Sequence, residues 1–125
     1  MNKSIYIEVP ESLSKRQSVY LWLLRNVTHN HLNGNRVADI LMENRAVWHS
    51  FWFGCETQYN AFGALLRDLD FPEGYAGDCL MIAVKSSNMQ LAEDMLSGFR
   101  ATEIDWEDER HGLGDGMRIL RVFWG

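Results

Sequence analysis

The chain has 125 residues, of which 46% are hydrophobic and 23% charged, with a formal net charge of −5. This length and composition are typical of a folded protein, and we expect residues 1–125 to form one domain. Proteins that bind duplex nucleic acid usually present a basic face, so the negative charge argues against direct nucleic-acid binding.

The charge is divided unevenly along the chain. Residues 1–62 carry six basic and five acidic side chains, a net of +1, whereas residues 63–125 carry six basic and twelve acidic ones, a net of −6. Because the concentrated field is negative, the sequence favours a basic protein as partner.

No segment predicts export or insertion into a membrane. Glu8 and Pro10 interrupt the N-terminal segment too early for a signal peptide, and no apolar run approaches the ~18 residues of a membrane helix. Cys55 and Cys79 are too few for a disulfide framework, so we expect reduced thiols and a cytoplasmic protein.

The chain begins with a predicted strand and a predicted helix. Residues 4–9 alternate polar and apolar side chains, which indicates a strand. Ser14 and Gln17 have the spacing of a capping box, in which two side chains bond each other's backbone amides. Apolar residues at helical spacing then predict a helix over roughly 12–29.

A polar segment over 30–35 interrupts the helical pattern. We expect Gly34 to adopt positive φ there and Asn35 to cap the turn that follows. A short amphipathic helix then ends near Asn44. Residues 46–54 are aromatic on both faces, and we interpret them as extended, with Phe51 and Phe53 on one face; a helix is the alternative.

The second half predicts helices and strands in alternation. Apolar spacing favours a helix over about 57–69, and the apolar run 78–85 indicates a central strand buried on both faces. Ser87 and Gln90 repeat the capping-box spacing at the start of a helix that ends near Gly98.

Two further strands complete the pattern, over 101–108 and 117–124, with Gly112, Gly114 and Gly116 between them as a hairpin connection. The order of elements predicts an α+β fold with a mostly antiparallel sheet of about four to five strands and helices packed on one face.

Five carboxylates follow one another closely on the first strand of this hairpin and at the turn after it, and we call them the acidic row: Glu103, Asp105 and Glu107 on the strand, and Asp108 and Glu109 at the turn. With Ile104 and Trp106 turned to the core, the row faces outward, and Arg118 is a candidate cross-strand partner. The row is either a solvated edge that prevents aggregation or a surface that docks against lysines and arginines.

Trp48 and Trp52 are the second candidate for partner binding, because exposed tryptophan is enriched at interaction hot spots. Alternatively they belong to the core, or line a pocket with His49, Tyr59 and Cys55 in a small enzyme or ligand-binding domain. A homodimer through these aromatic residues is a third alternative.

Metal and cofactor sites find little support in the spacing of the ligating residues. His29 and His31 point to different faces of a helix, and no other histidine or cysteine has zinc-site spacing. Gly112 and Gly114 precede a strand rather than a helix, which argues against a phosphate loop. We predict no catalytic residue, no metal and no cofactor.

This profile leads to one preferred function. A small acidic protein with spare aromatic residues and no catalytic signature resembles, in its physical properties, an inhibitor or immunity protein of bacterial or phage defence. Its carboxylates would occupy the basic cleft of a nuclease or another nucleic-acid-binding partner.

Overall fold

A computed structural model describes residues 11–29, 32–53, 79–107 and 116–124. The elements in these ranges are, in chain order, α1 (Lys15–Arg25), β1 (Thr28–His29), β2 (Leu32–Asn33), α2 (Gly34–Glu43), β3 (Ser50–Phe53), β4 (Cys79–Lys85), a 3-10 turn (Ser86–Asn88), α3 (Met89–Leu96), β5 (Glu103–Trp106) and β6 (Met117–Phe123). The predicted strand over 4–9 and helix over 57–69 lie outside the described residues.

The four longer strands form one antiparallel sheet in the order β3-β4-β6-β5, and β1 and β2 form a separate two-stranded ribbon. The predicted α+β fold is confirmed. β4 is central and buried along its length up to Lys85, as its apolar sequence predicts. β5 and β6 are antiparallel neighbours, and Gly116 before β6 has φ of 81°, which a glycine adopts without strain.

The main core lies between the three described helices and one face of the sheet. Helical side chains such as Leu24, Leu41 and Leu96 pack there against Trp124, which follows β6, and against buried strand residues: Phe51, Phe53, Leu80, Ile82, Val84, Leu120 and Val122. A smaller cluster of Cys79, Met81 and Ile119 is buried on the opposite face. Strands β3, β4 and β6 therefore place alternate side chains against two apolar clusters, one on each face of the sheet.

Helix α1 is shorter than the predicted 12–29. Ser14 Oγ accepts the backbone N–H of Gln17 at 3.1 Å, as the capping-box spacing predicts, but the Gln17 side chain bonds elsewhere. The helix ends at Asn26, whose side chain donates to the carbonyl of Trp22 at 2.8 Å. Residues 28–29 are extended because they pair with β2.

Gly34 is required because the backbone of Leu24 and Val27 passes too close to it to leave room for a side chain. Its φ is not positive, so the predicted role of Gly34 was wrong. A Cβ at Gly34 would lie 1.8 Å from the carbonyl oxygen of Leu24, and the Gly34 N–H donates to Val27. The cap of α2 is Asn33 instead of Asn35, since the Asn33 side chain accepts the N–H of Arg36 at 3.1 Å.

Two other predicted boundaries differ from the structure. Within the described part of the predicted extended segment 46–54, the strand comprises Ser50–Phe53, and residues 44–47 form turns. Ser87 does not cap α3: it lies in the 3-10 turn, and Asn88 occupies the N-cap position without a side-chain cap bond. Among the described residues, no helix has the length and apolar character needed to cross a membrane.

Candidate functional site

The structure describes three members of the acidic row, and two of them share one arginine. Glu103 lies opposite Phe123 and Asp105 opposite Arg121 in the β5–β6 register. The guanidinium of Arg121 is 3.7 Å from the Glu103 carboxylate and 3.5 Å from that of Asp105. Two negative charges thus meet one positive charge, which leaves a net of −1 at this position.

These carboxylates remain accessible to solvent although they are paired. The side chains of Glu103 and Asp105 are 58% and 64% exposed, whereas that of Arg121 is 18% exposed. Exposed ion pairs at such distances contribute little stability, about 0–1 kcal/mol. The two carboxylates can therefore be drawn toward another cation with little loss of folding stability. Asp108 and Glu109 lie outside the described residues.

Arg118, the predicted cross-strand partner, makes different contacts. Its Nη2 donates to the backbone carbonyl of Glu107 at 3.4 Å, and its guanidinium lies 6.0 Å from the centre of the Trp106 ring. Arg118 lies on the core face with Leu120, whereas Arg121 lies on the face of the acidic row, so the strand alternation selects Arg121.

The core face of β5 is only partly covered. Trp106 packs against the main core and donates its indole N–H to Glu93 of α3 at 2.8 Å. Ile104, which we expected to face the core, is 43% exposed. Strand β5 therefore presents an isoleucine on one face and two carboxylates on the other.

The two outer strands of the sheet differ in how their edges are covered. On β3, the Gln17 side chain bonds both backbone groups of Phe51. On β5, the Glu107 N–H donates to Ile119, so in an antiparallel ladder the backbone groups of Ile104 and Trp106 point away from β6. Within the described ranges, β5 pairs with β6 alone.

The two candidate tryptophans have different environments. Trp48 is 3% exposed and donates its indole N–H to the carbonyl of Leu41 at 2.7 Å, so it belongs to the core. Trp52 is half-buried against the cluster of Cys79, Met81 and Ile119. Trp48 therefore presents almost no surface to a partner protein.

Two of the five residues that we expected to line a pocket, Trp48 and His49, line a cleft in the structure. A cleft of about 180 Å³ is lined by side chains from the turn before β3 and from the end of β4: Arg45, Ala46, Val47, Trp48, His49, Lys85 and Asn88. Trp52 does not line it, and Tyr59 and Cys55 lie outside the described residues. The lining is more basic than aromatic.

Sequence reasoning missed Arg45, Lys85 and Asn88 because their grouping depends on the pairing of β3 with β4. The Arg45 guanidinium lies 4.2 Å from the centre of the Trp48 ring and donates to the carbonyls of Ser12 and Trp48. Burial lowers the pKa of Arg45 below its ordinary value. No local motif in the sequence marks this arrangement.

The described residues contain no group of three or more histidine, cysteine, aspartate or glutamate side chains that could hold a metal ion. Cys79 is buried in the smaller cluster on the sheet. His31 and His111 lie outside the described residues, as does most of the glycine-rich connection.

Comparisons with known proteins give no match: no family model matches the chain, and no curated protein or solved structure is significantly similar to it.

Proposed function

We propose that this protein acts by binding a basic protein partner through β5, and that it blocks a partner that handles nucleic acid. One observation carries the proposal. Strand β5 is an outer strand of the sheet whose backbone groups at Ile104 and Trp106 point outward, and it carries two exposed carboxylates, Glu103 and Asp105.

The charge around β5 supports a basic partner. Residues 89–107 carry five acidic side chains and one basic one, and residues 116–124 add two arginines, which gives a net charge of −2 for the two segments. Residues 11–29 and 32–53 carry five basic and three acidic side chains, a net of +2. The described residues around β5 are thus more negative than those of the N-terminal segments, and a locally negative surface attracts and orients a basic partner during encounter.

Ile104 supplies the apolar part of the proposed surface. Ile104 lies on the opposite face of β5 from Glu103 and Asp105, so a partner that covers the edge of this strand would contact an exposed apolar side chain on one face and carboxylates on the other. Inhibition is expected because a cleft that binds phosphates also attracts carboxylates. The carboxylates of β5 would then compete with nucleic acid for the cleft of the partner.

A charge-reversal pair tests the proposal. Glu103→Lys with Asp105→Lys changes the charge of β5, and Glu11→Lys with Glu43→Lys makes the same net change at exposed positions outside the sheet. We expect wild type and the control pair to recover the same basic partner from a host lysate and to inhibit its nucleic-acid binding or cleavage. The β5 pair should do neither, and equal recovery and inhibition by all three would contradict the proposal.

A further inference from the structure

The cleft beside Trp48 is lined by two basic side chains, Arg45 and Lys85, together with His49. Arg45 and His49 come from the segment before β3, and Lys85 comes from the end of β4. Among the described residues, no carboxylate lies within ion-pair distance of any of the three. This grouping is notable in a chain that has seventeen acidic and twelve basic side chains.

The hydrogen bonds inside the cleft use its acceptors and leave donors available. The carbonyl of Val47 accepts from the Asn88 side chain at 3.2 Å, and the carbonyl of Trp48 accepts from Arg45. His49 Nδ1 lies 3.1 Å from the Ser50 hydroxyl, and when that hydroxyl donates to Nδ1, the Nε2 atom carries the N–H. Neither Nε2 nor the ammonium of Lys85 has a bonded partner among the described residues. A ligand in the cleft would therefore contact hydrogen-bond donors of His49 and Lys85.

Arg45 places a cation in a partly desolvated position. Its guanidinium is packed on Trp48 and bonded only to carbonyl oxygens, so no anion balances its charge within the described structure. The cleft also borders the start of α3, whose first turn contains no acidic side chain, and the positive end of the helix dipole acts in the same direction.

We propose that this cleft is a binding site for a small oxyanion of the phosphate class, either inorganic phosphate or the phosphate group of a small ester. The volume of about 180 Å³ accommodates one such group with a short organic extension. Lys85 and His49 donate to the anion, and Arg45 provides positive potential from the wall. This proposal does not depend on the function proposed for β5.

The test is a titration of the protein with inorganic phosphate at constant ionic strength, followed by backbone amide chemical shifts. We expect saturable binding with Kd on the order of 1 mM, and shifts confined to Arg45–Ser50 and Lys85–Asn88. Lys85→Gln and His49→Gln should each weaken binding at least about threefold, and the double variant should lose it. Glycerol phosphate, titrated in parallel, identifies the source: tighter binding than inorganic phosphate indicates an ester.

Lys15→Gln is the matched control, because Lys15 is an exposed lysine on α1 that does not line the cleft. It should bind phosphate as wild type does. Unsaturable shifts in the wild type, or equal weakening in Lys15→Gln and Lys85→Gln, would overturn the proposal. Arg45 is left unchanged in this test, since its bonds to Ser12 and Trp48 contribute to the fold.

Discussion

Gln17 of α1 makes two hydrogen bonds to the backbone of Phe51 on β3. Its Nε2 donates to the Phe51 carbonyl at 3.0 Å, and its Oε1 accepts the Phe51 N–H at 2.9 Å. A carboxamide has the same donor and acceptor as a peptide group, so Gln17 occupies the place of a residue on a neighbouring strand. It both closes this edge of the sheet and fixes α1 against β3.

Gln17→Ala should therefore destabilise the fold. The substitution leaves a part-buried N–H and a part-buried carbonyl without partners, and we expect the free energy of unfolding to fall by about 1–3 kcal/mol. Urea denaturation measures the change. Gln90→Ala, at an exposed glutamine on α3, is the control and should stay within about 0.5 kcal/mol of wild type; an equal loss in both variants would contradict the role given to Gln17.

The same glutamine shows what sequence can predict here. The Ser14–Gln17 spacing correctly identified Ser14 as the cap of α1, because a cap depends on residues three apart in the chain, although the predicted helix began at about residue 12. It could not predict that the Gln17 side chain bonds Phe51, because Phe51 lies 34 positions later in the chain. Periodicity likewise predicted β4, β5 and β6, since alternation and apolar runs are local signals.

The contacts of the candidate sites depend on register, which the sequence pattern does not specify. The alternation along β6 placed Arg118 and Arg121 on opposite faces, but the pairing of Asp105 with Arg121 requires knowledge of how β5 aligns with β6. The cleft depends on the pairing of β3 with β4, which brings His49 next to the end of β4. Trp48 was ambiguous because an aromatic residue fits core and surface equally well by composition.

Gly34→Ala should be among the most damaging single substitutions in the described residues. The new Cβ would meet the carbonyl oxygens of Leu24 at 1.8 Å and Val27 at 2.6 Å, and backbone atoms cannot move aside as a side chain would. We expect a loss of at least about 3 kcal/mol in thermal or urea denaturation. Gly116→Ala, where φ is 81° and no atom lies within 4 Å, should lose only about 1–2 kcal/mol; a smaller effect at Gly34 than at Gly116 would refute the close-approach explanation.

Trp48→Phe and Trp52→Phe separate a core tryptophan from a half-buried one. Trp48→Phe removes the hydrogen bond to Leu41, buries a smaller ring and changes the surface on which Arg45 packs. We therefore expect the free energy of unfolding to fall by about 2–3 kcal/mol. The second should lose less than about 1.5 kcal/mol, because Trp52 is only half-buried. Denaturation midpoints of the two variants provide the comparison, and the reverse order would show that Trp48 is not a core residue.

The strength of the Arg121–Asp105 pair decides how much negative potential β5 can offer to a partner. Arg121 is the more buried member, and its guanidinium also lies 5.5 Å from the centre of the Phe123 ring. Packing of its stem and its contact with Phe123 therefore hold it in place independently of the carboxylates. The carboxylate, in contrast, is exposed and free to respond to solvent and salt.

A double-mutant cycle with Arg121→Gln and Asp105→Asn measures this interaction. We expect a coupling energy of about 0.2–1 kcal/mol at low ionic strength, because the pair is 3.5 Å apart with an exposed carboxylate. At ~1 M salt, where the Debye length is about 3 Å, most of that coupling should disappear. The same cycle on Arg25 and Asp39, which are 2.8 Å apart, is the matched comparison. A coupling at β5 above about 2 kcal/mol that persists in salt would mean that Arg121 holds the carboxylate for the fold. In that case Arg121 would balance the charge of Asp105, and Asp105 would not attract a basic partner.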